Sequence, residues 1–98
     1  MIDPERCTTM AEVRSGIDEL DQDIVALLAK RFRFIEAAAR VKQSRGEVRD
    51  ERRKAEVIEQ VRTHARNAGI PDELIGRFYD EMIETSIAIE FARFDTRK

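Results

Sequence analysis

Apolar residues recur at steps of three and four along the first half of this chain, at Met10, Val13, Ile17, Leu20, Ile24 and Leu27, and continue in register through Phe34, Ala38 and Val41. That spacing describes the seam of a long amphipathic helix of heptad type. Thr9-Met-Ala-Glu12 has the form of a capping box just ahead of the run. The pattern therefore predicts an extended leader over 1–8 and a first helix over 9–44, ended by Gly46. Gly16 costs such a helix about 1 kcal/mol relative to alanine without stopping it. After the link Arg45-Gly-Glu-Val-Arg49, Asp50 is a good N-cap for a second helix over 50–67, with a thin stripe of Ile58, Val61 and Ala65. Gly69 ends that helix, and Pro71 suits the first turn of a third over 71–95, which carries Ile75, Phe78, Met82, Ile83, Ile89 and Phe94. The expected fold is all-α: three helices, no strands, one domain over 1–98.

A first helix of about 35 residues would run about 52 Å, further than a globule of this size is wide. It cannot bury its whole seam against its own chain. A second subunit is the simplest partner, so an obligate homodimer of intertwined helices is expected.

One position breaks the seam. Arg31 takes the apolar slot between Leu27 and Phe34, and a buried arginine needs an anion. Lys42 follows eleven residues later, which at about 100° per residue brings it back to within roughly 20° of Arg31, about 16 Å along the axis. Either the two cations serve one anionic ligand, or both snorkel from the seam to water. In the second helix Arg52-Arg53-Lys54 lies in the first turn, where positive charge opposes the helix dipole. That run reads equally as a second anion requirement or as a solvated charge run. In the third helix Ser86 and Glu90 share one face, bordered by Ile83, Ile87 and Ile89. A carboxyl pressed against aliphatic side chains is disfavoured as a charge unless a cation compensates, whereas most glutamates are simply exposed.

Arg14 precedes Arg31 by seventeen residues, about 100° around the helix and about 25 Å along it, so the two cannot grip one small ligand from the same chain. In an antiparallel dimer Arg14 of one subunit would come beside Arg31, Lys42 and Arg53 of the other. The expected ligand is a small compound with more than one carboxylate.

Composition narrows these alternatives. With 20 acidic and 18 basic residues the net charge is -2, so there is no broad positive field for nucleic acid, and no stretch approaches a membrane span. Cys7 is the sole cysteine and His64 the sole histidine, so a metal cluster or a Cys/His nucleophilic pair is not expected, and both read as structural. Nothing at the N-terminus is laid out as a signal peptide, and a cytoplasmic location is the default expectation.

The succession Val13-Arg14, Ile17-Asp18, Leu20-Asp21, Leu27-Leu-Ala-Lys-Arg31, Val41-Lys42, Val48-Arg49-Asp50 and Arg53 resembles the all-helical chorismate mutase family over roughly residues 8 to 95. The leader Pro4-Glu-Arg-Cys-Thr8 also resembles that of bacterial isochorismate-pyruvate lyases, which share the fold and pocket. The resemblance implies an intertwined homodimer with two equivalent sites, each completed by an arginine of the partner. It places Arg14 of the partner, Arg31 and Arg53 on the substrate carboxylates, Lys42 and Glu90 at the ether oxygen, Asp50 near the ring hydroxyl, and Ser86 beside a carboxylate. Glu90 stands where many mutases have glutamine, and Lys54 where many have glutamate. The second departure hints at an altered ring substrate.

The implied chemistry is the rearrangement of chorismate to prephenate, in which an ether C–O bond breaks as a C–C bond forms, with no metal, nucleophile or cofactor. Shape and charge do the catalysis: a compact conformer is held, and donors stabilise negative charge growing on the ether oxygen. Glu90 can donate there only when protonated, which a desolvated setting favours. Elimination of pyruvate from isochorismate is a similar pericyclic step and the alternative reading. The rival from another class is a non-catalytic dimeric helical module binding an acidic partner. It accounts for the heptads and the basic run, and gives no reason for Arg31 in the seam or Glu90 among isoleucines.

Overall fold

The computed structural model of the protein describes residues 2–97. Among them lie three long helices, α1 (Met10–Val41), α2 (Glu51–Ala68) and α3 (Asp72–Thr96), and no strand. The fold is all-α. Between Phe34 and Ile35 the chain divides into two compact units, and α1 contributes to both.

In the first unit the leader is not extended throughout. Pro4–Arg6 form a single 3-10 turn, closed by Arg6 N–H donating to the Asp3 carbonyl (3.0 Å) and Cys7 N–H to that of Pro4 (3.3 Å). Proline suits the start of such a turn because its φ is preset and its missing N–H is not needed there. The Thr9 hydroxyl accepts the Glu12 backbone N–H at 3.2 Å, and the Glu12 carboxylate accepts the Thr8 N–H at 3.2 Å and both threonine hydroxyls. The Thr8 backbone donor, then the hydroxyls, hold the Glu12 carboxyl below its ordinary range. Ile2, Pro4 and Cys7 line an apolar cleft of about 160 Å³ together with Val13, Ile17 and Leu20 of α1. Much of the predicted seam lies open: Leu27 and Phe34 are each 67% exposed, and Met10, Ile17, Leu20, Ile24 and Val41 are exposed as well.

The second unit corrects the end of the first helix, which stops at Val41 rather than 44. Lys42 N–H still donates to the Ala38 carbonyl (3.0 Å). The next two amides, of Gln43 and Ser44, donate instead to the Glu47 carboxylate at 2.7 Å each. A side chain has taken the donors that would have continued the helix. Ser44, extended at φ -138°, then caps a 3-10 turn over Arg45–Glu47, so Gly46 lies inside a turn and does not terminate the helix. Those amides hold the Glu47 carboxyl below its ordinary range.

α2 starts where its cap dictates. The Asp50 carboxylate accepts the Arg53 backbone N–H at 3.0 Å, meeting one of the orphan donors of the first turn. Gly69, in the left-handed region at φ 74°, ends it, and Ile70 N–H reaches back to the Ala65 carbonyl at 3.0 Å. That reach-back is the bond of a Schellman motif, and its positive φ favours glycine. Pro71 serves as the N-cap of α3 rather than as a residue of its first turn, which Asp72 and Glu73 open with charge of the sign the dipole favours. α2 and α3 are antiparallel, since Arg62 late in α2 pairs with Asp72 early in α3 (3.0 Å), while Lys54 near the start of α2 pairs with Glu84 (2.8 Å).

Val48, Ile83 and Ile87 are buried at the centre of this unit, packed by Val57, Ile58, Tyr79, Phe91 and Phe94. Burying such side chains stabilises by about 1.5–3 kcal/mol each. Phe78, expected on the apolar face of the third helix, is 58% exposed instead. Ala39, from the last turns of α1, is buried in the same unit.

Candidate functional site

Lys42 lies one residue beyond α1, and its ammonium donates to Glu90 Oε2 at 2.6 Å. The Val48 carbonyl lies 3.4 Å from the same nitrogen. Glu90 is 4% exposed and Ser86 3%, one turn apart on α3. The recurrence of Ile83, Ser86, Ile87 and Glu90 at three- and four-residue steps explains this placement: one face of α3 is turned inward, and two of its positions are polar. Ser86 meets its own requirement by donating to the Met82 carbonyl at 2.8 Å, and Glu90 meets its through Lys42. A buried carboxyl without such a partner would be strongly destabilising.

One more expected substrate contact, Asp50, also has a structural role. Asp50 caps α2 through the backbone of Arg53, whose own side chain is 61% exposed and stands 4.0 Å from Glu56. The basic run of α2 divides by residue. Arg52 and Arg53 are exposed, whereas the Lys54 ammonium pairs with Asp80 at 2.9 Å and Glu84 at 2.8 Å. The anion that Lys54 calls for is thus supplied from α3. Arg49 joins the cluster with bonds to Glu84 at 2.8 and 3.1 Å and to Glu51 at 2.7 Å. Arg49, and then Lys54, hold the Glu84 carboxyl down to about 2, while Glu84 and then Asp80 push the Lys54 ammonium up.

Arg14 and Arg31 belong to the first unit, both on α1, Arg14 exposed and Arg31 half-buried. Lys42, Asp50, Arg53, Ser86 and Glu90 all belong to the second. Cys7 is a free, half-buried thiol and His64 is exposed on α2. Sequence reasoning missed the Val48 carbonyl, the Arg49–Glu84–Lys54 cluster and Arg97, which donates to the Lys42 carbonyl at 2.6 Å. Lys42 and Val48 are six residues apart across a turn, and the other pairings span 30 to 55 residues, separations at which helical periodicity carries no signal.

The model of the family described as chorismate mutase type II matches residues 13–91. The isochorismate pyruvate lyase of Pseudomonas aeruginosa is 31% identical to the chain over 85 residues, spanning 87% of this chain and 84% of that protein.

Proposed function

Because the chain belongs to the chorismate mutase type II family, we propose that it rearranges chorismate to prephenate without a cofactor, in the cytoplasm and as an intertwined homodimer. The observation that carries this reading is the Lys42–Glu90 pair, a cation and a carboxyl 2.6 Å apart with Glu90 4% exposed. An ammonium has three N–H donors, so Lys42 can keep its bond to Glu90 while offering another to the ether oxygen of a substrate. Negative charge grows on that oxygen as its C–O bond breaks and the new C–C bond forms, and a fixed donor in a dry setting stabilises it. Glu90 adds a second donor in its protonated form.

Arg31, Arg53 and Arg14 of a partner subunit take the two carboxylates, for which the guanidinium fork is suited. Ser86 assists at a carboxylate and Asp50 at the ring hydroxyl. Holding both carboxylates keeps the enolpyruvyl arm folded over the ring and lowers the entropic part of the barrier. The exposed seam of α1 supports the dimer, because a stripe including Ile17, Ile24, Leu27 and Phe34 is the kind of surface a second helix covers.

The similarity to a protein named isochorismate pyruvate lyase favours a second reading. There the same ether bond of isochorismate breaks while a ring hydrogen moves to the enolpyruvyl carbon, releasing pyruvate and leaving salicylate. Charge develops on the same oxygen. Offering chorismate and isochorismate separately and following prephenate, pyruvate and salicylate tests both readings. Prephenate from chorismate is expected, turnover of isochorismate alone would replace the first reading with the second, and turnover of neither would overturn both.

A further inference from the structure

We infer that Arg97 is a positioning residue for Lys42, an inference that rests on the proposed role of Lys42 at the ether oxygen. The end of α1 leaves backbone carbonyls in need of donors. In a longer helix the Ala39 and Arg40 carbonyls would receive the amides of Gln43 and Ser44, and both amides are taken by Glu47. Arg97 supplies the missing donor: its Nη1 lies 2.9 Å from the Ala39 carbonyl, 3.4 Å from that of Arg40 and 2.6 Å from that of Lys42. A cation is also the charge that a helix C-terminus favours.

The guanidinium is itself held. Its carbon lies 3.7 Å from the centroid of the Phe94 ring, and Arg97 N–H donates to the Phe94 carbonyl at 3.3 Å. A parallel tie lies close by, where Arg45 bonds Asp95 at 2.9 Å and stacks over Phe91 at 4.4 Å. The backbone of Lys42 is therefore fixed by Arg97 and its ammonium by Glu90, both borne by α3 and the residue that follows it. Freed at its carbonyl, this terminal turn would fray and carry the ammonium away from Glu90.

The test is a double-mutant cycle. Arg97→Ala and Arg97→Lys are made in the unmodified protein and in Lys42→Ala, and kcat, KM for chorismate (isochorismate, if that is the substrate turned over) and melting temperature are measured. Arg97→Ala should lower kcat by roughly ten- to hundredfold, as displacement of a reacting group does, with KM nearly unchanged. Arg97→Lys should recover part of the loss, and in Lys42→Ala the further loss should be less than about twofold. Where residual rates are too low to read, affinity for a bicyclic transition-state mimic by calorimetry replaces kcat. Equal losses in both backgrounds, or no loss in either, would overturn the role of Arg97. Full activity of Lys42→Ala would instead overturn the proposed function. If Arg97→Ala does not fold, Arg97→Lys alone carries the cycle, with a smaller loss that must again vanish in Lys42→Ala.

Discussion

Glu90 shows what a single residue can disclose and what it cannot. Its place among Ile83, Ile87 and Ile89 marks it as an unusual carboxyl on spacing alone, and the structure buries it. Spacing alone carries no sign of its partner, which only the family resemblance sets beside it: Lys42 lies 48 residues earlier, and folding brings the two to 2.6 Å. As the proposed donor to the ether oxygen Glu90 has to present a hydrogen, which an ionised carboxylate lacks. Glu90→Gln keeps an N–H donor at every pH. We expect this substitution to retain activity and Glu90→Ala to lower kcat by roughly tenfold or more, as loss of a transition-state donor does, and full activity of Glu90→Ala would remove Glu90 from the chemistry.

At the scale of elements, the caps of α2 are legible in the sequence, whereas the end of α1 and the N-cap of α3 are not. Asp50 and Gly69 bound α2 because each satisfies backbone groups next to it in sequence. The end of α1 depends on Glu47, whose carboxylate competes for two amides, and on an arginine beyond α3. The junction of α2 with α3 is electrostatic on one side, where Glu84 receives Arg49 and Lys54. These cations lower the Glu84 carboxyl from 4.5 to about 2, so its stabilising effect is complete above about 4.5 and is lost as pH falls towards about 2. Glu84→Gln should therefore show a shallower decline of the urea midpoint across that window. An identical acid slope in the two proteins would show that the cluster contributes nothing to folding, as exposed ion pairs sometimes do.

For the whole molecule, the open seam of α1 and the dimer proposed to cover it lead to one prediction. Subunits bearing Arg14→Ala and subunits bearing Arg31→Ala should each be nearly inactive alone. Mixed and allowed to exchange, they should recover activity, since each mixed dimer has one site with both arginines. Absence of recovery, with exchange demonstrated by differently tagged subunits, would show that Arg14 does not act across a dimer.

The sequence by itself determined the helical class, the caps of α2, the apolar seam with its misplaced Arg31, and the inward face of α3, because each is set by periodicity or by neighbours within four residues. Only the tertiary structure decided which charges meet. Lys42 with Glu90, Lys54 with Asp80 and Glu84, and Arg97 with the end of α1 are contacts across 26 to 58 residues of chain. Such contacts depend on how the end of α1 and the two later helices pack, and local spacing holds no record of that packing.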